Sequence, residues 1–335
     1  MSNAVGRRIA LDAMGGDHAP KATVAGVVAA RRNHGVEVTL VGDLERLSAE
    51  LERNGESVGD YQIVHAGEVV GMDEQPASAI RQKLDSSIRV AAQLVKVGEA
   101  QALISMGNSG ATMAAAVLVV GRAPGVSRPA LAGVLPATGG RTLLLDIGAN
   151  SECTPENLLQ FAIMGSLYME AAHGVASPRV GLLNVGEEDV KGNQLVLEAH
   201  ELVQASELNF RGNVEGVDLF RAVVDVAVCD GFTGNVAIKV MEGTGDFAFG
   251  MLRAAGETSA RSKLGALLMR PALRTMRTSF DYAEWGGAPL LGVNGLVFIG
   301  HGRSHRGAVE RAIVEVTAAL SGNLPTLLEK GLARG

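Results

Sequence analysis

The stretch "IALDAMGGDHAP", residues 9–20, is an apolar run that stops at Asp12, turns through Gly15 and Gly16, and meets a second acid, Asp17, before Pro20. This is the pattern of a short buried strand leading through a glycine turn into a helix. Alone, Asp12 and Asp17 read as turn-formers or a helix cap. The pattern recurs in "LISMGNSGAT" (103–112), "LLLDIGANS" (143–151), "GLLNVGEED" (181–189) and "VAVCDGFTGN" (226–235). Each is an apolar run that ends in a polar residue beside glycine. Such repetition predicts an α/β fold with a mainly parallel sheet. In an open parallel sheet the carboxyl ends of the strands line one edge, where ligands bind. Glycine lets the backbone come close to a ligand, and Asp or Asn adds polar contacts. Five such ends on one edge predict a shared cleft that includes Asp12 and Asp17.

Outward from these runs, strands are expected at 9–11, 36–41, 61–65, 102–105, 143–146, 180–184 and 224–229. Helices are expected at 21–32, 44–53, 76–96, 109–120, 155–172, 194–206, 235–255 and 308–320. No fixed-period repeat, low-complexity tract or linker interrupts them. The chain 1–335 therefore reads as a single α/β domain, or as two lobes sharing one sheet. With 335 residues, 47% of them hydrophobic, the chain can bury a large core. Only 4% of residues are aromatic and 43 are glycine, which suits closely packed strands and helices. A formal net charge of −6 argues against wholesale nucleic-acid binding. The two cysteines, Cys153 and Cys229, form no CxxC, which points to a reducing compartment and no zinc site. The longest apolar run, near 113–120, is too short to span a bilayer. The expectation is a soluble protein, or one that at most sits on a membrane surface.

The common nucleotide fingerprints are missing. No GxGxxG follows the first strand, and no GxxxxGK[ST] or GxSxG occurs. "GNSGAT" and "GFTGN" remain, each a glycine loop that opens a helix. N–H groups at a helix N-terminus form an anion site, and Ser109, Thr112 and Thr233 add hydroxyl donors. The two loops, expected on neighbouring strands, point to a phosphate or a phosphorylated ligand. "GEEDVKGN" places Lys191 just after a strand end, as a phosphate contact or as part of a solvated salt-bridge cluster. "GVNGLVFIGHG" places His301 between glycines, accessible to a ligand. The strand-end aspartates suit donor-orienting roles or a magnesium site, and the spacing alone does not choose.

The stretches "ALDAMGGDHAP", "SMGNSGATMA", "LLDIGAN", "NVGEEDVKGN", "VCDGFTGNVAIK" and "GGAPLLGVNGLVFIGHGRS" occur in this order along nearly the whole chain. Together they resemble the phosphate acyltransferase family, which makes acyl phosphate from acyl-acyl carrier protein and inorganic phosphate. Arg303 departs from the family, which usually has a small residue after "GHG". The resemblance implies a three-layer α/β/α fold similar to the isocitrate and isopropylmalate dehydrogenases and to phosphotransacetylase. It implies a homodimer of the cytoplasm with peripheral contact to anionic membrane, acyl carrier protein as partner, no cofactor and no metal. It carries Lys191, His301 and Asp230 over as catalytic candidates. Asp12, Gly15, Gly16, Asp17, Asn108, Ser109, Gly110 and Thr112 become substrate-binding candidates, as do Asp146, Asn150, Asn184, Thr233, Gly234, Asn235 and Asn294. Three alternatives stay open: a phosphotransacetylase on coenzyme A thioesters, a nicotinamide-dependent dehydrogenase, and a non-catalytic membrane or carrier-protein scaffold. The dehydrogenase would need substrate-binding arginines that the strand-end motifs lack.

A helical protrusion is expected over 250–282. Its stretch 253–277 is basic in an acidic chain, with Arg253, Arg261, Lys263, Arg270, Arg274 and Arg277 against one acid, Glu257. Such a patch can steer an acidic carrier protein. Leu264, Leu267 and Leu268 share a helical face, and Pro271 predicts a corner between two short helices. An apolar tip ringed by basic residues suits the headgroup region of an anionic membrane, a dimer interface or an acyl groove.

Overall fold

The computed structural model describes residues 8–280 and 286–332, the side chains of 274–280 excepted. The strands are β1 (Ile9–Asp12), β2 (Val38–Gly42), β3 (Ile63–His65), β4 (Ala102–Ser105), β5 (Ala130–Ala137), β6 (Gly140–Leu145), β7 (Arg179–Leu183), β8 (Asn209–Val214), β9 (Val226–Val228), β10 (Ala288–Leu291) and β11 (Leu296–Ile299). The helices are α1 (Lys21–His34), α2 (Leu44–Arg53), α3 (Pro76–Gln82), α4 (Ser87–Lys96), α5 (Ser109–Ala115), α6 (Pro155–His173), α7 (Gln194–Gln204), α8 (Gly231–Glu257), α9 (Ala260–Phe280), α10 (Arg306–Ser321) and α11 (Leu324–Leu332). All these strands join one sheet, in the order β3-β2-β1-β4-β11-β10-β5-β6-β9-β7-β8.

Strands pair in parallel from β3 to β11 and again from β6 to β8. Between the blocks, β11–β10, β10–β5 and β5–β6 are antiparallel. Three reversals leave the second block running against the first. Side-chain alternation then sorts residues to two faces. Ile9 and Leu11 join the core under α1, α2, α6, α7, α10 and α11. Ala10 and Leu103 face α3, α4 and α5, and Leu144 and Ala227 face Ile238 and Met241 of α8. Leu131 of β5 packs against both of these last clusters, so α3–α5 and α8 cover the same face. The result is the three-layer α/β/α architecture with a mainly parallel sheet.

Several elements differ from the sequence expectation. The helix expected over 76–96 breaks between Gln82 and Ser87, because Ser87 N donates to Glu68 O and Asp85 Oδ2 accepts from Gly67 N. β6 is the strand expected at 143–146, whereas β5, which pairs with it as a hairpin, and β8, β10 and β11 lie outside the sequence expectation. Pro136 disguises β5; the strand tolerates it because β10 pairs only with Ala130 and Leu131, leaving Pro136 one neighbouring strand. α9 runs through Pro271 as one helix and packs along α8, so one continuous helix replaces the two short helices expected to meet there. No side chain described between Glu242 and Leu273 is buried, so α8 and α9 form an arm whose base is Met241 rather than residue 250.

Candidate active site

β1 delivers Asp12 to the face covered by α4. Asp12 is 3% exposed; its Oδ1 accepts from Ser87 Oγ at 2.6 Å and Met14 N at 3.3 Å, and its Oδ2 from Ser105 Oγ at 2.7 Å. Burial pushes the carboxyl above its ordinary value, and these hydrogen bonds oppose that rise without cancelling it. A carboxylate so enclosed braces the turn and ties β1 to β4 and α4. Gly15 is required beside it, since a Cβ there would lie 2.5 Å from Asp12 Oδ2 and 2.9 Å from Gly107 N. Gly16 has φ +101°, and Asp17 N donates to Gly302 O at 2.8 Å while the Asp17 side chain stays exposed. The ends of β1, β4 and β11 are thus sewn together.

Asn108 caps α5: its Oδ1 accepts from Ala111 N at 3.0 Å. Its amide donates to Gly71 O, Met72 O and Glu74 O at 3.3, 3.1 and 3.4 Å. Ser109 and Gly110 begin the helix, so their N–H groups have no intrahelical acceptor. The Thr112 hydroxyl, expected as a ligand donor, instead donates to Asn108 O at 3.1 Å. α5 passes without a break into a π-helical turn, Ala116–Val120. On β11's far side, His301 is half-buried; its Nδ1 accepts from Arg303 N at 3.2 Å, which leaves Nε2 to carry the proton of the neutral ring.

The second group of turns follows β6, β9 and β7, which are adjacent in that order. Asp146 is fully buried, and its two oxygens accept from Leu131 N, Gly148 N, Ala149 N, Asn150 N and Asn150 Nδ2 at 2.7–3.1 Å. Burial raises its carboxyl, and the five donors work the other way with a smaller effect. A proton on either oxygen would face an N–H group, so the geometry holds the carboxylate. Asn150 O in turn accepts from Gly231 N at 2.8 Å, which seats the start of α8. Gly234 is required there, because a Cβ would stand 1.9 Å from Asp146 O. Asp230, expected as catalytic, is the α8 cap: its oxygens accept from Thr233 N at 2.9 Å and Thr233 Oγ1 at 2.7 Å. Asn235 Nδ2 donates to Ile147 O at 3.3 Å. Asn184 closes the next loop by donating to Lys191 O at 2.9 Å, and the exposed Lys191 makes no ion pair among the described residues.

The five strand ends therefore do not share one edge. Asp12 and Asn108 end strands of the first block; Asp146, Asp230 and Asn184 end strands that run the opposite way. The "GNSGAT" and "GFTGN" loops follow β4 and β9, which are not neighbours. What joins the groups is the face. Asp12 reaches α4, Asp146 lies under the start of α8, and Ala149 packs against the cluster that holds α4 and α5. Asn294 falls outside both groups, in the turn before β11, where its N–H donates to Gly121 O. Among the described residues, one group of three acids is close enough to share a cation: Glu187, Glu215 and Asp218. None of the strand-end aspartates belongs to it. Both thiols are poor nucleophiles, since burial raises Cys153 to about 11 and Cys229 well above its ordinary value.

A family model described as "Fatty acid synthesis protein" matches residues 7–326. A phosphate acyltransferase of Geobacter sulfurreducens is 50% identical over 306 residues, 91% of this chain and 88% of that one. The chain belongs to the phosphate acyltransferase family. A second phosphate acyltransferase, of Heliobacterium modesticaldum, is 52% identical over 91% of this chain and 92% of its own. Among solved structures, a phosphotransacetylase from Streptococcus pyogenes aligns with a TM-score of 0.66 at 16% identity, over 94% of each chain. A 4-hydroxythreonine-4-phosphate dehydrogenase from Klebsiella pneumoniae aligns with a TM-score of 0.51 at 12% identity, over 96% of this chain and 100% of that one. At these identities the two structures share the fold of this phosphate acyltransferase family member and nothing finer.

Proposed function

We propose that the protein transfers an acyl group from the thioester of acyl carrier protein to inorganic phosphate, releasing acyl phosphate and free carrier protein. The observation that carries the reading is a pair of glycine turns braced from inside by buried aspartates, in a chain half identical to proteins named phosphate acyltransferase. The start of α5 offers the N–H groups of Ser109 and Gly110, which hold phosphate without the tight ion pairing of a guanidinium cage. A phosphate oxygen attacks the carbonyl carbon, the C–S bond breaks, and sulfur leaves. With a thiol pKa of about 8.5, sulfur departs as thiolate with modest help. The His301 Nε2–H or the Lys191 ammonium supplies that help, or stabilises the oxyanion, a contribution of about 3 kcal/mol per donor in related chemistry. The high cysteine pKa values favour direct attack over an acyl-cysteine intermediate. Acyl phosphate is an activated acyl donor, suited to acylating glycerol 3-phosphate in phospholipid synthesis.

The test compares long-chain acyl carrier protein with acetyl-coenzyme A as donor, trapping acyl phosphate with hydroxylamine. Faster turnover with the carrier protein is expected. Equal or faster turnover with acetyl-coenzyme A would reassign the protein as a phosphotransacetylase.

The arm is the proposed contact with carrier protein and membrane in a homodimer. Arg253, Arg261, Lys263 and Arg270 are exposed there without ion pairs among the described residues; the side chain of Arg274 lies outside them. Leu264, Leu267 and Leu268 are 58%, 61% and 74% exposed. No helix among the described residues is long and apolar enough to cross a membrane. Changing Leu267 and Leu268 to Glu is expected to abolish flotation with anionic vesicles while the dimer persists. A dimer lost in that variant would assign the leucines to the interface.

A further inference from the structure

The chain between β3 and α3 crosses the first group of turns as a strap. Its carbonyls at Gly71, Met72 and Glu74 all accept from the Asn108 amide. Gly71 N donates to Glu74 Oε1 at 2.6 Å, and Lys83 Nζ holds both Glu74 Oε1 at 2.6 Å and Val69 O at 2.8 Å. Pro76 packs so closely on Gly110 that a Cβ there would lie 2.7 Å from Pro76 Cγ. These hydrogen bonds hold the strap in place. Outward it presents the exposed Asp73 and Gln75 and one large apolar side chain, Met72, left 51% exposed. Met72 reaches across to the β11 loop: a Cβ on Gly302 would stand 2.9 Å from Met72 Cε and 3.4 Å from Asp17 Oδ1. Met72 thus spans from the Asn108 turn to Gly302, beside His301, with Asp17 next to its tip.

An apolar side chain in this place has a chemical use. A thioester carbonyl that phosphate can attack is also open to water. In hydrolysis the water oxygen forms the new bond to carbon, the C–S bond breaks, one water proton passes to sulfur, and the acid formed loses the other to solvent. Phosphate can be selected by N–H groups, but water needs no site and is kept away only by apolar cover. Methionine, unbranched and polarisable, adapts to such a covering role.

We propose that Met72 selects phosphate over water as the acyl acceptor by covering the reacting carbonyl. The inference rests on the acyl-transfer reading above. The test measures acyl phosphate and free fatty acid formed in one reaction mixture by the wild type, Met72→Ser and Met72→Leu. Because Met72 gives the strap only its carbonyl oxygen, both variants keep the Asn108 and Lys83 hydrogen bonds and are expected to melt with the wild type. Met72→Ser is expected to raise the ratio of hydrolysis to phosphate transfer about tenfold, with the KM for phosphate unchanged, and Met72→Leu to stay within about twofold. A Met72→Ser ratio equal to the wild-type ratio overturns the inference even if turnover falls. A wild type that forms no acyl phosphate from either donor removes the acyl-transfer reading, and the inference with it.

Discussion

Asp146→Asn separates a brace from a ligand contact. Asp146 Oδ1 accepts from three backbone N–H groups, and Oδ2 accepts from Asn150 N at 2.7 Å and Asn150 Nδ2 at 2.9 Å. Asparagine keeps one oxygen and replaces the other with an NH2 group. In its better orientation the oxygen keeps the three-donor side, and the NH2 then confronts two donors in a buried site. Each buried donor left without an acceptor costs about 1–3 kcal/mol, so the variant should lose about 4 kcal/mol. For a chain of this size that is a fall in Tm of about 6 °C. The disturbance passes through Asn150 O to Gly231 N and loosens the start of α8, so turnover should fall with stability. The assay is thermal unfolding and acyl phosphate formation on one preparation. An unchanged Tm with turnover cut a hundredfold would refute the reasoning and place Asp146 on the substrate.

Gly234→Ala sets a methyl group 1.9 Å from Asp146 O, so α8 must move off the end of β6 at a cost of about 3 kcal/mol. The buried thiol of Cys229, against which α8 packs, should then react faster with a thiol reagent; an unchanged rate would contradict the contact. Glu315 predicts a pH signature. Burial alone would raise its carboxyl, but His173, the Tyr168 hydroxyl and Arg141 outweigh burial and hold it below the ordinary value. A lowered carboxylate stabilises the fold above its unfolded-state value of 4.5, and that stability is lost as pH falls through the folded value. Glu315→Gln should therefore be destabilised at neutral pH, with the gap to wild type closing below pH 4.5 in chemical denaturation; a gap constant with pH would sink the assignment.

Local chemistry made much of this protein readable in one dimension. Apolar runs ending at Asp12, Asn108, Asp146, Asn184 and Asp230 mark strands and turns because burial and turn geometry act on adjacent residues. The glycines at 15, 16 and 234 were legible as close-approach positions, but not what they approach: Asp12 Oδ2, Met106 O and Asp146 O. β5, β10 and β11 were missed because their identity comes from pairing with strands far away in sequence, and Pro136 masks the first of them. That same middle section reverses the second block, so strand ends that look equivalent in sequence leave the sheet in opposite directions. Whether an aspartate meets a ligand or its own turn depends on which N–H groups surround it. Those N–H groups, and the hydroxyls that do the same work, come from residues such as Ser87 and Ser105 (hydroxyls) for Asp12 and Leu131 (N–H) for Asp146, brought there by the sheet. Residue type, a property of the sequence, supplied the chemistry; partnership is a three-dimensional property, and only the tertiary structure decided it.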